Sequence, residues 1–333
     1  RRFFNKKNFE KINYFVSGRN AILEVIKNEK IKFVFIPRYY CYPVYKLIAS
    51  VKGLKILNYG SKYELFEKLA QKDNKNKILI IIIFFNGMRI SINEYIENSK
   101  FRNKNIIKLI DSAMTASLPK INFEYDYLIT NPRKFYCIPI GSFLFNKRKT
   151  IIRSNLSFNF FNSFLYLSSK ITSRFFLSSR ISFLEKIGLT INNYSEKKVP
   201  IRLDIISFLF IKKFKILDLS ALRIEQYNIY FERLKPIKDF YFFENSATNM
   251  DCPFGFILKI KERDNLRKFL NNYRIFPSNL WEVPLDLYEE IGYETISISK
   301  EILLLPIGDQ YNSNDIKKVC DLILKFFNNE KHL

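Results

Sequence analysis

The strongest constraint on how this chain folds is one unbroken apolar run, Ile78-Leu79-Ile80-Ile81-Ile82-Ile83-Phe84-Phe85, closed off by Lys77 and Asn86. Such a run is too short to cross a bilayer, which takes roughly 18–20 apolar residues. Because it does not alternate, it leaves no face for water. A strand of this kind is buried on both sides, as in a parallel sheet covered by helices. Around it, short apolar runs alternate with amphipathic ones. The pattern predicts helix at 21–27, strand at 33–36, helix at 42–51, strand at 55–57 and helix at 63–71. After the central run come a helix at 92–98, a strand at 106–110 and further extended segments at 125–130 and 142–145. Strands alternating with helices predict an α/β sheet, which gathers its ligands at the carboxyl ends of the strands.

Residues 151–200 are rich in Ser, Phe and Leu and read as helical with poor periodicity. A long amphipathic helix is expected at 219–234, with Asp218 as its N-cap and Pro236 just past its end. The remainder reads as a smaller α/β unit: strand at 255–260, helix at 263–272, a mixed segment at 297–305 and a helix at 313–328 that starts around 312–314. The expected organisation is a large domain over 1–215 and a small one over 216–333.

With 333 residues, 47% of them apolar and 17% aromatic, the chain has ample material for a packed core. The net charge of +23 would ordinarily point to a polyanionic partner. Here, however, Ile, Lys, Asn, Phe and Tyr are inflated together along the whole length, as in an AT-rich genome, and the basic residues are scattered rather than gathered into a stripe. The charge therefore calls for no specific nucleic acid. The four cysteines form no CxxC pair and the single histidine, His332, lies near the end. That pattern leaves no zinc-type ligand set, so no metal site is expected, and no His-dependent triad. Reduced thiols and the lack of a secretory pattern are the basis for expecting a cytoplasmic protein.

Four short segments carry chemistry. Ser17-Gly18-Arg19-Asn20-Ala21 opens a helix, so it offers free backbone N–H groups, a hydroxyl and the positive end of the helix dipole, a seat for phosphate as well as an ordinary N-cap. Pro37-Arg38-Tyr39-Tyr40-Cys41-Tyr42-Pro43 follows a strand. Either Tyr40 or Tyr42 could lie against a flat heteroaromatic ring, or both could simply pack. Asp111 ends the strand at 106–110, where a carboxylate needs a partner: a protonated ring nitrogen, or the turn at Ser112-Ala113. Lys134, in Asn131-Pro132-Arg133-Lys134-Phe135, follows a proline that fixes a non-helical turn. A lysine amine in a partly dry site is a competent carbonyl-reactive nucleophile. A carboxylate at a strand end and a lysine on a later loop are what pyridoxal phosphate (PLP) requires, the one protonating its ring nitrogen and the other forming the Schiff base.

Taken in order, these segments resemble the successive motifs of the DegT/StrS-type aminotransferases, fold-type I PLP enzymes many of which aminate nucleotide-linked keto sugars. Ile110-Asp111-Ser112-Ala113 and Pro139-Ile140-Gly141 belong to the pattern, as do Arg223-Ile224-Glu225-Gln226-Tyr227-Asn228, Tyr273-Arg274-Ile275-Phe276-Pro277-Ser278, Leu280-Trp281 and Leu304-Leu305-Pro306-Ile307. The resemblance runs from about 14 to 325. It implies a large domain with a mostly parallel seven-stranded sheet between helices, a smaller C-terminal α/β domain and a homodimer. It further implies PLP held on Lys134, its nitrogen met by Asp111, its phosphate held by Ser17, Gly18, Arg19 and Asn131, and its ring faced by Tyr40 or Tyr42. The implied substrates are an amino-acid donor such as glutamate and a keto-sugar acceptor. Met114 stands where family members commonly carry Gln or His, and Leu305-Pro306-Ile307-Gly308-Asp309-Gln310-Tyr311 lacks the family's Arg. These departures motivate a second reading, a family member that keeps the fold as a binding or scaffold protein without transaminating.

Overall fold

The computed structural model describes residues 11–72, 75–89, 103–117, 121, 123–135, 141–148, 219–237 and 245–330. The helices expected at 92–98 and within 151–200, the Asp218 cap, Pro139 and Ile140, His332 and the expected domain boundary at 215/216 lie outside these residues.

The apolar run forms the strand β4, Ile78–Ile83, and all six of its residues are buried. Side chains alternate across a strand, so Leu79, Ile81 and Ile83 enter one core cluster while Ile78, Ile80 and Ile82 enter another. The first cluster packs under α1 (Gly18–Glu29) and α2 (Tyr42–Ala49), and the second includes Leu65 and Leu69 of α3 (Lys62–Ala70). The strand is two residues shorter than its apolar run. Asn86, with φ 54°, and Gly87, with φ 67°, turn the chain sharply at that point.

The other strands of this sheet are β1 (Lys11–Phe15), β2 (Phe33–Pro37), β3 (Lys55–Tyr59), β5 (Ile106–Ser112), β6 (Tyr127–Thr130) and β7 (Ser142–Asn146). They are ordered β1-β7-β6-β5-β4-β2-β3. The pairs β3·β2, β2·β4, β4·β5 and β5·β6 are parallel, and β7 runs antiparallel to both β6 and β1. The sheet is therefore seven-stranded and mostly parallel, as expected, and β7 is its one reversed strand. It brings the carboxyl ends of β1, β2, β4, β5 and β6, together with the start of β7, to one edge. β1 was not anticipated. Asn13 in β1 and Asn146 in β7 are both fully buried, and polar residues at buried positions hide the apolar signature of this pairing.

Further along, α4 (Ser220–Arg233), α5 (Arg263–Asn272), α6 (Tyr293–Glu301) and α7 (Ser313–Glu330) accompany a three-stranded antiparallel sheet. Its order is β8-β10-β9, from Phe256–Lys259, Ile302–Leu305 and Ser278–Asn279. The segment expected to be mixed at 297–305 resolves into the end of α6 followed directly by β10. Leu280, Val283, Leu287, Ile291 and Ile302 join the same core cluster as α1 and α2, so the two sheets share apolar packing. Among the described residues, no helix is long and apolar enough to cross a membrane.

Candidate active site

A cavity of about 230 Å³ opens at the carboxyl edge of the large sheet. Each segment singled out from the sequence contributes to it.

The turn after β1 gives Ser17 as N-cap of α1, in extended conformation at φ −151° and ψ 164°. Its hydroxyl oxygen accepts from the Asn20 backbone N–H at 3.4 Å, and the hydroxyl lies 2.7 Å from Asn20 Oδ1, to which it donates. No acidic residue occupies the first helical turn, so the positive end of the dipole is unopposed there. Ser17, Gly18 and Arg19 all line the cavity. A Cβ on Gly18 would meet Ile129 Cγ2 at 3.4 Å, so α1 begins close against β6.

The last but one residue of β5 is Asp111. Its Oδ1 accepts from the Ala113 N–H at 3.0 Å and its Oδ2 from the Tyr40 hydroxyl at 2.7 Å. Tyr40 is fully buried. Burial first, then the adjacent Asp111 charge, pushes its phenol well above the ordinary range, so it remains a donor. Tyr42 is buried too and donates to the Arg38 carbonyl at 3.2 Å. Neither tyrosine lines the cavity; between them in sequence, Cys41 does.

Lys134 ends a 3-10 turn, Pro132–Lys134, whose first residue fixes its direction. The residue is exposed where it opens onto the cavity, and the protein around its ammonium, which lies 5.5 Å over the Phe254 ring, displaces part of the surrounding water. This desolvation lowers its pKa below the usual lysine range, while Cys41 and Asp111 pull the other way and Arg133 adds to the lowering. Asn131 lines the same space and is buried, and its Oδ1 finds no hydrogen-bond partner among the described residues. Buried polar atoms are normally satisfied, so this carbonyl suits a donor brought in by a ligand. Met114 and Trp281 also line the cavity. Met114 holds the position where the family resemblance puts Gln or His near the cofactor's hydroxyl, whereas Trp281, though within the Leu280-Trp281 motif, carried no expected cofactor contact.

A partly desolvated amine, a doubly held carboxylate and a helix N-terminus thus share one cavity. That set fits a phosphorylated heteroaromatic aldehyde: the anion at the start of α1, the ring nitrogen toward Asp111 and the carbonyl carbon toward Lys134.

No model of a known protein family matches the sequence, and neither does any curated protein. Solved structures do match. A DegT DnrJ EryC1 StrS aminotransferase from Brucella abortus aligns with TM-score 0.64 and 16% identity, over 96% of this chain and 86% of its own. Spr1654 from Streptococcus pneumoniae in its PMP form aligns with TM-score 0.60 and 13% identity, over 97% and 88%. DesI, crystallised in the presence of its TDP-sugar product, aligns with TM-score 0.57 and 11% identity, over 95% and 80%. Likeness over nearly the whole length at such low identity establishes architecture: this chain has the fold of the DegT/StrS-type aminotransferases.

Proposed function

We propose that this protein is a PLP-dependent aminotransferase that moves an amino group from an amino acid, glutamate in the first instance, to a keto sugar carried on a nucleotide. The observation that carries the reading is the meeting of Lys134, Asp111 and the Ser17–Arg19 turn in one cavity. The structural neighbours add support: Spr1654 has been solved in a PLP form, and DesI with a TDP-sugar product.

When bound, PLP supplies an electron sink for the carbanion formed next to the amino nitrogen. The start of α1 would hold its phosphate through backbone N–H groups and the Arg19 side chain. Asp111, oriented by Tyr40 and Ala113, would meet the ring nitrogen. Lys134 has two tasks. Its amine would anchor the cofactor at its carbonyl carbon, and the same amine, when free, would carry a proton from and back to the amino-acid carbon skeleton. A lowered pKa makes a larger fraction of that amine neutral and able to accept a proton. The reading includes a homodimer, which light scattering measures.

The test is optical. Purified protein given PLP should turn yellow, Lys134→Ala should not, and glutamate should bleach the yellow form. A wild type that stays colourless removes the proposal. Cofactor that binds but is never converted by glutamate would favour the scaffold reading.

A further inference from the structure

The sequence offered Tyr40 or Tyr42 as the aromatic neighbour of the cofactor ring, and the structure commits both elsewhere. Tyr40 is turned onto Asp111 and Tyr42 onto a backbone carbonyl. Among the described residues, the single aromatic side chain lining the cavity is Trp281, on the loop after β9.

The indole sits there on a strained backbone. Trp281 has φ 47°, a left-handed conformation that a bulky L-residue rarely adopts, and such outliers persist where surrounding structure holds them for a purpose. The surroundings here are specific. The Tyr39 hydroxyl donates to the carbonyl of Leu280, the preceding residue. The rings of Phe85, Tyr39 and Tyr40 back the indole at centroid distances of 5.4, 5.6 and 6.1 Å. Three rings brace it from the protein side, and the cavity lies beyond. Tyr40 is also the residue whose hydroxyl holds Asp111. The indole therefore packs beside the very tyrosine that holds Asp111, and both Trp281 and Asp111 line the cavity.

From this placement we infer that Trp281 is the platform for the cofactor's pyridine ring, taking the place that the sequence motif offered to Tyr40 and Tyr42. The inference rests on the cofactor assignment above and adds to it that the ring is held by a residue from the second half of the chain. The phosphate seat, Asp111 and Lys134 come from the large sheet, whereas the ring face comes from beside the small one. Offset or tilted stacking of an indole on an electron-poor heteroaromatic ring contributes affinity beyond the area it covers.

The experiment compares wild type, Trp281→Phe and Trp281→Leu. PLP affinity is measured by absorbance titration and inorganic phosphate affinity by calorimetry. Trp281 is the only tryptophan in the chain, so the indole bands at the red edge of the near-ultraviolet circular dichroism, beyond tyrosine absorption, report this position and should change on PLP binding. The Phe variant should bind PLP within about threefold of wild type and the Leu variant roughly tenfold more weakly. Inorganic phosphate, which needs only the start of α1, should bind all three alike. Leu binding PLP as tightly as Phe would overturn the inference, as would an indole signal indifferent to PLP. Loss of PLP and phosphate together in the Leu variant would also overturn it, by showing that Trp281 shapes the cavity rather than contacting the ring. A wild type that binds phosphate but no PLP would instead remove the cofactor assignment itself.

Discussion

Tyr40 and Asp111, 71 residues apart, show how a side chain of ambiguous meaning acquires one. A tyrosine at a strand-to-helix junction could stack or pack, and only its hydroxyl's partner decides. Removing that hydroxyl in Tyr40→Phe leaves the Asp111 carboxylate one donor short and should cost about 1–2 kcal/mol, read as a lower denaturant midpoint. Lys134 yields a second prediction. Because its pKa is lowered, the rate of PLP capture should rise with pH, with its half-point below the roughly 10.4 of an ordinary lysine. A half-point at or above that value would contradict the desolvated site. Glu29 is a third case, distant from the cavity. Its side chain is fully buried and receives Lys77 Nζ at 2.8 Å, the Tyr127 hydroxyl at 2.7 Å and Arg148 Nε at 3.2 Å. Burial alone would raise its carboxyl, but those hydrogen bonds and charges outweigh burial and lower it. A depressed folded pKa contributes stability that is present above the unfolded value, near 4.3, and lost as pH falls through the folded one. Acid unfolding should therefore be less steep in Glu29→Gln than in wild type. At neutral pH the substitution should cost about 2 kcal/mol, less than a wholly enclosed pair, because Lys77 is 40% exposed and solvent screens it.

Among the elements, the one that departs most from expectation is the turn closing β4. The apolar run continues to Phe85 because the turn is itself buried, so hydrophobicity could not mark where the strand stops. What stops it is pairing with the second half of the chain. Asn86 Nδ2 donates to the Gly255 carbonyl at 2.9 Å, and the Gly255 N–H returns to Asn86 Oδ1 at 3.1 Å. The Cys252 N–H donates to the Gly87 carbonyl at 2.9 Å. A Cβ on Gly87 would lie 2.1 Å from the Cys252 carbonyl oxygen, in a backbone conformation already unfavourable to side chains. Gly87→Ala should therefore destabilise by about 3 kcal/mol or more, seen as a large fall in the urea midpoint. A near-neutral effect would mean that this junction yields easily. Elsewhere local signals sufficed. α5 spans the residues expected of it, and Asn312 Oδ1 accepts from the N–H groups of Asn314 and Asp315 at the expected start of α7.

At the scale of the whole molecule, the cavity is walled by both halves of the chain, with Trp281 lining it alongside Lys134 and Asp111. A ligand bound there ties the halves together, and any ligand that binds only the folded state stabilises it by mass action. At roughly a hundred times its Kd, PLP should contribute about 2.7 kcal/mol and raise the melting temperature by about 5 °C. Calorimetry should show the entire transition moving as one. A shift confined to part of a divided transition would mean that the cofactor engages one half alone.

The sequence by itself determined what depends on neighbours along the chain. A residue pair a few positions apart is fixed by backbone geometry, so the doubly buried β4, the Ser17 cap, the alternation of strands and helices, and the order of Ser17, Asp111 and Lys134 were all legible. The tertiary structure alone decided what depends on which surfaces meet. It paired β1 with β7 across a register of buried asparagines, aimed Tyr40 at Asp111, and set Trp281 rather than a tyrosine against the cavity. Periodicity along a strand or helix says which face is apolar, but it carries no information about the partner that face will find or the direction in which a polar tip at its edge will turn.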